Sequence, residues 1–208
     1  MMKRKPVSLL MICLLSMTVQ AVNVQELFLN MPASLLPTLP KAARQDLVDF
    51  YTNNRVAAMP AAFNNQMVLK NLTNDYLLLQ TTPSSTIQLK LLPLNDTATV
   101  IAVIHTAQGP LEDSRLLFYG LDWKPLDRFY QPVLKPHSFL KSTDESLIAR
   151  FDTVCNRLFV RLTFEAGTTT LLAEHALKTD LTEDILQAYD GMIEDAIRLH
   201  WTGDGFER

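Results

Sequence analysis

The chain has 208 residues, 48% of them hydrophobic, with a formal net charge of −3, two cysteines and six glycines. That is enough apolar material to bury a sizeable core in one domain or two small subdomains, and the composition excludes a disordered or low-complexity chain. The acidic balance argues against nucleic acid as a partner.

The first segment is an export signal. Lys3, Arg4 and Lys5 form a basic flank, "PVSLLMICLLSMTV" is an apolar run too short to span a bilayer, and Val19 and Ala21 stand at −3 and −1 of a cleavage site between Ala21 and Val22. Residues 1–21 are therefore read as a signal peptide and the mature protein as periplasmic or secreted, with no stable membrane insertion after processing. Cys13 is badly placed for lipid attachment, because Ile12 precedes it and the apolar run continues past it. Cleavage removes three basic residues and no acidic one, which moves the formal charge from −3 to −6. Cys155 is then the one cysteine left, so no intramolecular disulfide is available and packing must supply the stability.

In the mature chain, "ELFLNMPASLLP" reads as a short helical turn bounded by prolines. Leu39, Ala43, Leu47, Phe50 and Tyr51 recur at spacings of three and four and predict a helix over roughly 40–52, with Thr38 as a possible cap and Pro40 tolerated in its first turn. From about 67 to 122 the period changes to two. "DYLLLQTT", "TIQLKLLP", "TATVIAVIHT" and "SRLLFYGLDW" are separated by turn residues at Pro83-Ser84-Ser85, Asn95-Asp96 and Gln108-Gly109-Pro110, the pattern of an antiparallel meander. Ile87, Leu89 and Leu91 are expected to face the core, and Gln88 and Lys90 the solvent. A stretch over 124–144, holding Pro125, Pro132 and Pro136, reads as a linker or a long ordered loop. Beyond it "SLIARFDTVC", "RLFVRLTFE" and "TTTLLAEHAL" read as further strands, followed by a helix capped at Thr182 and a last strand "DAIRLHW". The expected class is α+β, antiparallel meanders with a few helices; the strands ending at Trp123 and Trp201 leave two readings, two tandem helix-plus-meander halves over 22–124 and 125–208 or a chance likeness of amphipathic strands.

The motifs "LFLNMP", "LLPTLPKAARQDLVDFY", "LTNDYLLLQ", "LKLLPLND", "LLFYGLDWKPL" and "LHWTGDGF" together resemble an uncharacterised family of exported proteins of Bacteroidales, a domain of unknown function. The resemblance implies no catalytic residue. The helix-plus-meander order also resembles the beta-lactamase inhibitor protein architecture, a likeness of topology that carries no function.

The terminal "RLHWTGDGF" clusters His200, Trp201, Asp204 and two glycines, yet strand alternation puts Ile197, Leu199 and Trp201 on one face and Arg198 and His200 on the other. His200 is thus expected in solvent, with Gly203 and Gly205 turning the chain so that Phe206 folds back. His105 and His175 fall in apolar strands and read as half-buried, hydrogen-bonded histidines. Cys155 reads as a buried inert thiol. The pairs Asp144-Glu145, Glu183-Asp184 and Glu194-Asp195 read as helix-start or solvent-facing carboxylates. No hydrolase elbow, zincin motif, phosphate loop, paired cysteines or calcium loop occurs, so the sequence nominates no catalytic, cofactor-binding or metal-ligating residue and no cofactor. The expectation is a non-catalytic module binding a protein, peptide or other envelope component. A small secreted hydrolase, its site assembled from scattered residues, is the competing expectation.

Overall fold

A computed structural model describes residues 22–61, 64–128 and 130–208. Residues 1–21, the stretch read as a signal peptide, with Cys13 and Ala21 in it, lie outside the described residues; Val22 is exposed. The described chain is an α+β fold with ten strands in two antiparallel sheets and five helices, and among the described residues no helix is long and apolar enough to cross a membrane.

Two helices open the fold, α1 (Val24–Asn30) and α2 (Lys41–Thr52). Asn23 caps α1 by accepting the Glu26 N–H at 3.1 Å. The N-cap position of α2 is Pro40 and not Thr38, and it makes no side-chain hydrogen bond; proline lacks an N–H that the first turn would leave unpaired anyway. α2 buries Arg44 beside Leu47 and Val48. The Arg44 guanidinium donates to the carbonyls of Phe28 and Met31, both at 2.7 Å, and so closes the open carbonyl end of α1.

Six strands follow as an uninterrupted meander: β1 (Ala58–Pro60), β2 (Gln66–Leu72), β3 (Tyr76–Thr82), β4 (Ser85–Pro93), β5 (Thr99–Gln108) and β6 (Glu112–Tyr119). One face carries Ile87, Leu89, Leu91, Ile101 and Val103 against α1 and α2. The other face, with Leu92, Ala102, Ile104 and Phe118, belongs to a second core shared with the C-terminal half. The sheet is therefore covered on both sides.

That double burial corrects the expectation for Gln88 and Lys90. Both are buried, with Lys90 at 0% exposure, because the C-terminal sheet covers the face that alternation alone assigns to water. Lys90 reaches Asp75 at 2.5 Å. Burial acts to raise the Asp75 pKa, but the hydrogen bonds from Lys90 and Thr73 outweigh it and hold the carboxyl below its ordinary range.

The C-terminal sheet has the order β10-β9-β8-β7, built from β7 (Val160–Phe164), β8 (Thr170–His175), β9 (Ala196–Trp201) and β10 (Phe206–Glu207). "SLIARFDTVC" is not a strand but helix α3 (Glu145–Val154), started by Asp144, whose carboxylate accepts the N–H groups of Ser146 and Leu147. Phe151 packs inward while Glu145, Ala149 and Arg150 are exposed, a helical spacing that the short alternating look of the segment conceals. Between β8 and β9 lie α4 (Leu177–Asp180) and α5 (Glu183–Ala188). Thr182 stands at the N-cap of α5 but makes no side-chain cap bond.

The edge of β7 is closed by side chains of the first sheet. The N–H groups of Val160, Leu162 and Phe164 donate to Asp113 Oδ1, Ser114 Oγ and Gln88 Oε1 at 3.1, 3.0 and 3.0 Å. Gln88 Nε2 returns a bond to the Leu162 carbonyl at 3.0 Å. An unpaired edge thereby becomes a docking seam, with its buried polar groups satisfied.

Trp123 does not end a strand. It lies beyond β6 with φ of 63°, buried against the helix-side core, its indole donating to the Leu27 carbonyl at 3.2 Å. Trp201 does end β9 and is buried, and Phe206 pairs back onto it across the Gly203 turn. At Gly203, φ is 91° and a Cβ would sit 2.7 Å from the Leu94 carbonyl oxygen, so both conformation and space require glycine.

Candidate functional site

Within the stretch read as a linker or long ordered loop, residues 136–141 are tied into the fold by backbone hydrogen bonds. Pro136 opens a 3-10 turn over Pro136–Phe139, where its fixed φ suits a first turn. The Lys135 N–H donates to Ser138 Oγ at 3.0 Å. Leu140 then bridges to Ile193, the Lys141 N–H donates to Met192 O at 2.9 Å, and the Glu194 N–H donates to Phe139 O at 2.8 Å. These bonds fasten residues 136–141 beside the start of β9.

Between this segment, α3 and the last two strands opens a groove of about 780 Å³, within the range of about 300–1,000 Å³ usual for ligand sites. Its floor is apolar: Leu140, Ile197, Leu199 and Phe206 reach it from the second core. Val133, 72% exposed, stands at its mouth. The polar wall carries His137, Ser138, Lys141, Ser142 and Thr143. Glu194 and Arg208 also line it but are paired with each other, and Arg208 donates to the Ser138 carbonyl at 2.9 Å.

His137 is held on two sides by one carboxylate. Its backbone N–H donates to Asp152 Oδ1 at 3.3 Å and its Nδ1 lies 2.5 Å from Asp152 Oδ2. Facing an ionised carboxylate, which only accepts hydrogen bonds, the neutral imidazole carries its proton on Nδ1 and keeps its lone pair on Nε2. Nε2 has no hydrogen-bond partner among the described residues.

The histidines singled out in the sequence have other roles. His175 is half-buried, donating from Nε2 to the Glu194 carbonyl at 2.5 Å and accepting the Leu177 N–H on Nδ1 at 3.0 Å. Desolvation lowers its pKa against the opposing pull of the Glu194 hydrogen bond. Desolvation, with the Arg115 charge behind it, also lowers that of half-buried His105. His200 is exposed, 3.4 Å from Thr170 Oγ1. Cys155 is buried and free, and burial, helped by Asp152 and Asp180, pushes its thiol up to about 11, which leaves it a poor nucleophile. The adjacent carboxylates do not converge: Asp144 caps α3, Glu183 and Asp184 sit in the first turn of α5, and Glu194 and Asp195 pair with Arg208 and Lys178.

Sequence reasoning passed over His137 and Asp152. The two are fifteen positions apart, a separation matching no motif, and Asp152 lay in a segment read as strand. One signal was available: of the four histidines, His137 alone falls outside the alternating strands, among the prolines of 124–144.

The fold is similar to that of a solved domain of an uncharacterized protein from Porphyromonas gingivalis W83, with a TM-score of 0.71 and 21% sequence identity over 89% of this chain and 98% of that one. At that identity the likeness speaks for the fold alone. No curated protein matches the chain. The model of a family described as "Protein of unknown function (DUF3256)" matches residues 16–206, and with nearly the whole chain covered this protein belongs to that family.

Proposed function

We propose that this is an exported cell-envelope protein that binds a short peptide segment in the groove beside β9 and β10. The observation that carries the reading is the groove's make-up: an apolar floor of Leu140, Ile197, Leu199 and Phe206, the exposed apolar Val133 at its mouth, and donors from Lys141, Ser142 and Thr143 along one wall. An apolar side chain fits such a floor, and a peptide carboxylate or carbonyl fits such a wall. Export is supported by the basic flank, short apolar run and Ala21 boundary. Just past that boundary Asn23 caps α1 and Val24 is buried.

Binding is checked with an N-dansylated dipeptide ending in leucine. Saturable fluorescence enhancement is expected, and Thr143→Trp, at an exposed rim position, should weaken it at least about tenfold, or about 1.4 kcal/mol. Equal binding by both proteins would place the peptide elsewhere. Export is checked by intact mass on protein from its native host. A mature chain starting at Val22 is expected; retention of residues 1–21, or an acyl group on Cys13, would refute it.

A further inference from the structure

We propose that the His137–Asp152 pair is a general-base site and that the groove hydrolyses a carboxylic ester or amide whose acyl part carries an apolar side chain. The proposal rests on the groove being a peptide site and adds a chemical step to it. Three observations converge on His137. It is a groove-lining residue. Both oxygens of Asp152 hold it, one through the backbone and one through the ring, so the imidazole cannot swing without losing a charge-assisted bond. The tautomer that this carboxylate selects leaves Nε2 as the basic atom, with no hydrogen-bond partner among the described residues. Of the other three histidines, His175 spends both ring nitrogens on the backbone and neither His105 nor His200 is paired with a carboxylate.

Water is the co-reactant. His137 Nε2 accepts a proton from a water molecule as the water oxygen forms a bond to the acyl carbon, and the carbonyl electron pair moves onto its oxygen. Lys141 and the hydroxyls of Ser142 and Thr143, on the same wall, supply donors for that oxyanion. As the intermediate collapses, the bond from the acyl carbon to the leaving oxygen or nitrogen breaks, and the imidazolium returns its proton to the leaving atom. A carboxylic acid and an alcohol or amine result, the imidazole is restored, and nothing is oxidised or reduced. Asp152 does not line the groove. It is a positioning residue that holds the ring and stabilises the transient imidazolium.

The probe is the p-nitrophenyl ester of N-acetyl-leucine, with the full mature chain as enzyme. Wild type is expected to release many equivalents of nitrophenolate per protein, His137→Gln to lose at least about 100-fold in kcat, and Asp152→Asn to lower kcat at least about tenfold with KM unchanged. His200→Gln, a change at an exposed histidine outside the groove, should match wild type. Release that stops at one equivalent, or equal rates in wild type and His137→Gln, overturns the proposal. Should either variant of the pair lose its fold in a thermal melt, Thr143→Trp decides the matter: it must suppress turnover, and undiminished turnover removes the groove as the site. Dansyl-peptide binding in the same preparations separates the two readings. Binding without turnover defeats hydrolysis and leaves the peptide site standing, whereas loss of both defeats the site itself.

Discussion

Trp201→Ala is expected to lower the unfolding free energy by about 3–5 kcal/mol, the range of large aromatic truncations in cores. The indole is the hub of the aromatic cluster that joins the two sheets. Its ring centroid lies 5.0, 5.5 and 5.9 Å from those of Phe206, Tyr130 and Phe118, and Nε1–H donates to the Pro93 carbonyl at 2.5 Å. Truncation opens a cavity among these rings and strands a carbonyl at the end of β4, so packing and hydrogen bonding fail together. The neighbouring His200 points to the other face and is exposed, so His200→Ala should stay within about 0.5 kcal/mol of wild type. Chemical denaturation of the two variants makes the comparison. A loss under about 1 kcal/mol for Trp201→Ala would mean that the cluster does not hold the C-terminal turn.

Gln88→Leu is expected to cost about 2–4 kcal/mol even though the replacement keeps most of the side-chain volume. Gln88 Oε1 accepts from Phe164 N–H and from the Tyr76 hydroxyl at 3.0 and 3.1 Å, and Nε2 donates to the Leu162 carbonyl. Leucine satisfies none of these buried groups, and an orphaned buried donor or acceptor costs about 1–3 kcal/mol, partly relieved by relaxation. Leu89, on the opposite face of the same strand and fully buried, should cost about 2–5 kcal/mol as Leu89→Ala. Large losses at two adjacent positions are the mark of a strand covered on both faces. If Gln88→Leu melts like wild type while Leu89→Ala does not, the seam between β4 and β7 is absent and only the helix-side core is real.

Much of this architecture was legible because strands in a meander are defined locally. Alternation and turn residues place β3, β4 and β5 with short connections, and the same alternation sends Trp201 inward and His200 outward. The 41–52 helix was likewise readable from its three- and four-residue spacing. What misled was any feature whose meaning depends on a distant partner. Gln88 and Lys90 carry the polar chemistry of a solvated face, but the face is covered by β7, and their hydrogen bonds run to Leu162, Phe164 and Asp75. α3 resembled a strand because ten residues with apolar positions at mixed spacing fit either period, and only burial of Phe151 against Tyr189, with ring centroids 4.8 Å apart, decides between them.

The sequence by itself determined the class of the fold, the acidic balance of the chain, and the local direction of side chains along the strands of the meander, because these follow from composition and from periods of two and 3.6. The tertiary structure alone decided which sheet faces see water, that the chain between Pro132 and Thr143 lines a groove, and that His137 meets Asp152. Those outcomes depend on contacts between residues far apart in the chain, whose energies appear only once β7 docks on the first sheet and α3 folds across the second. No local pattern carries them.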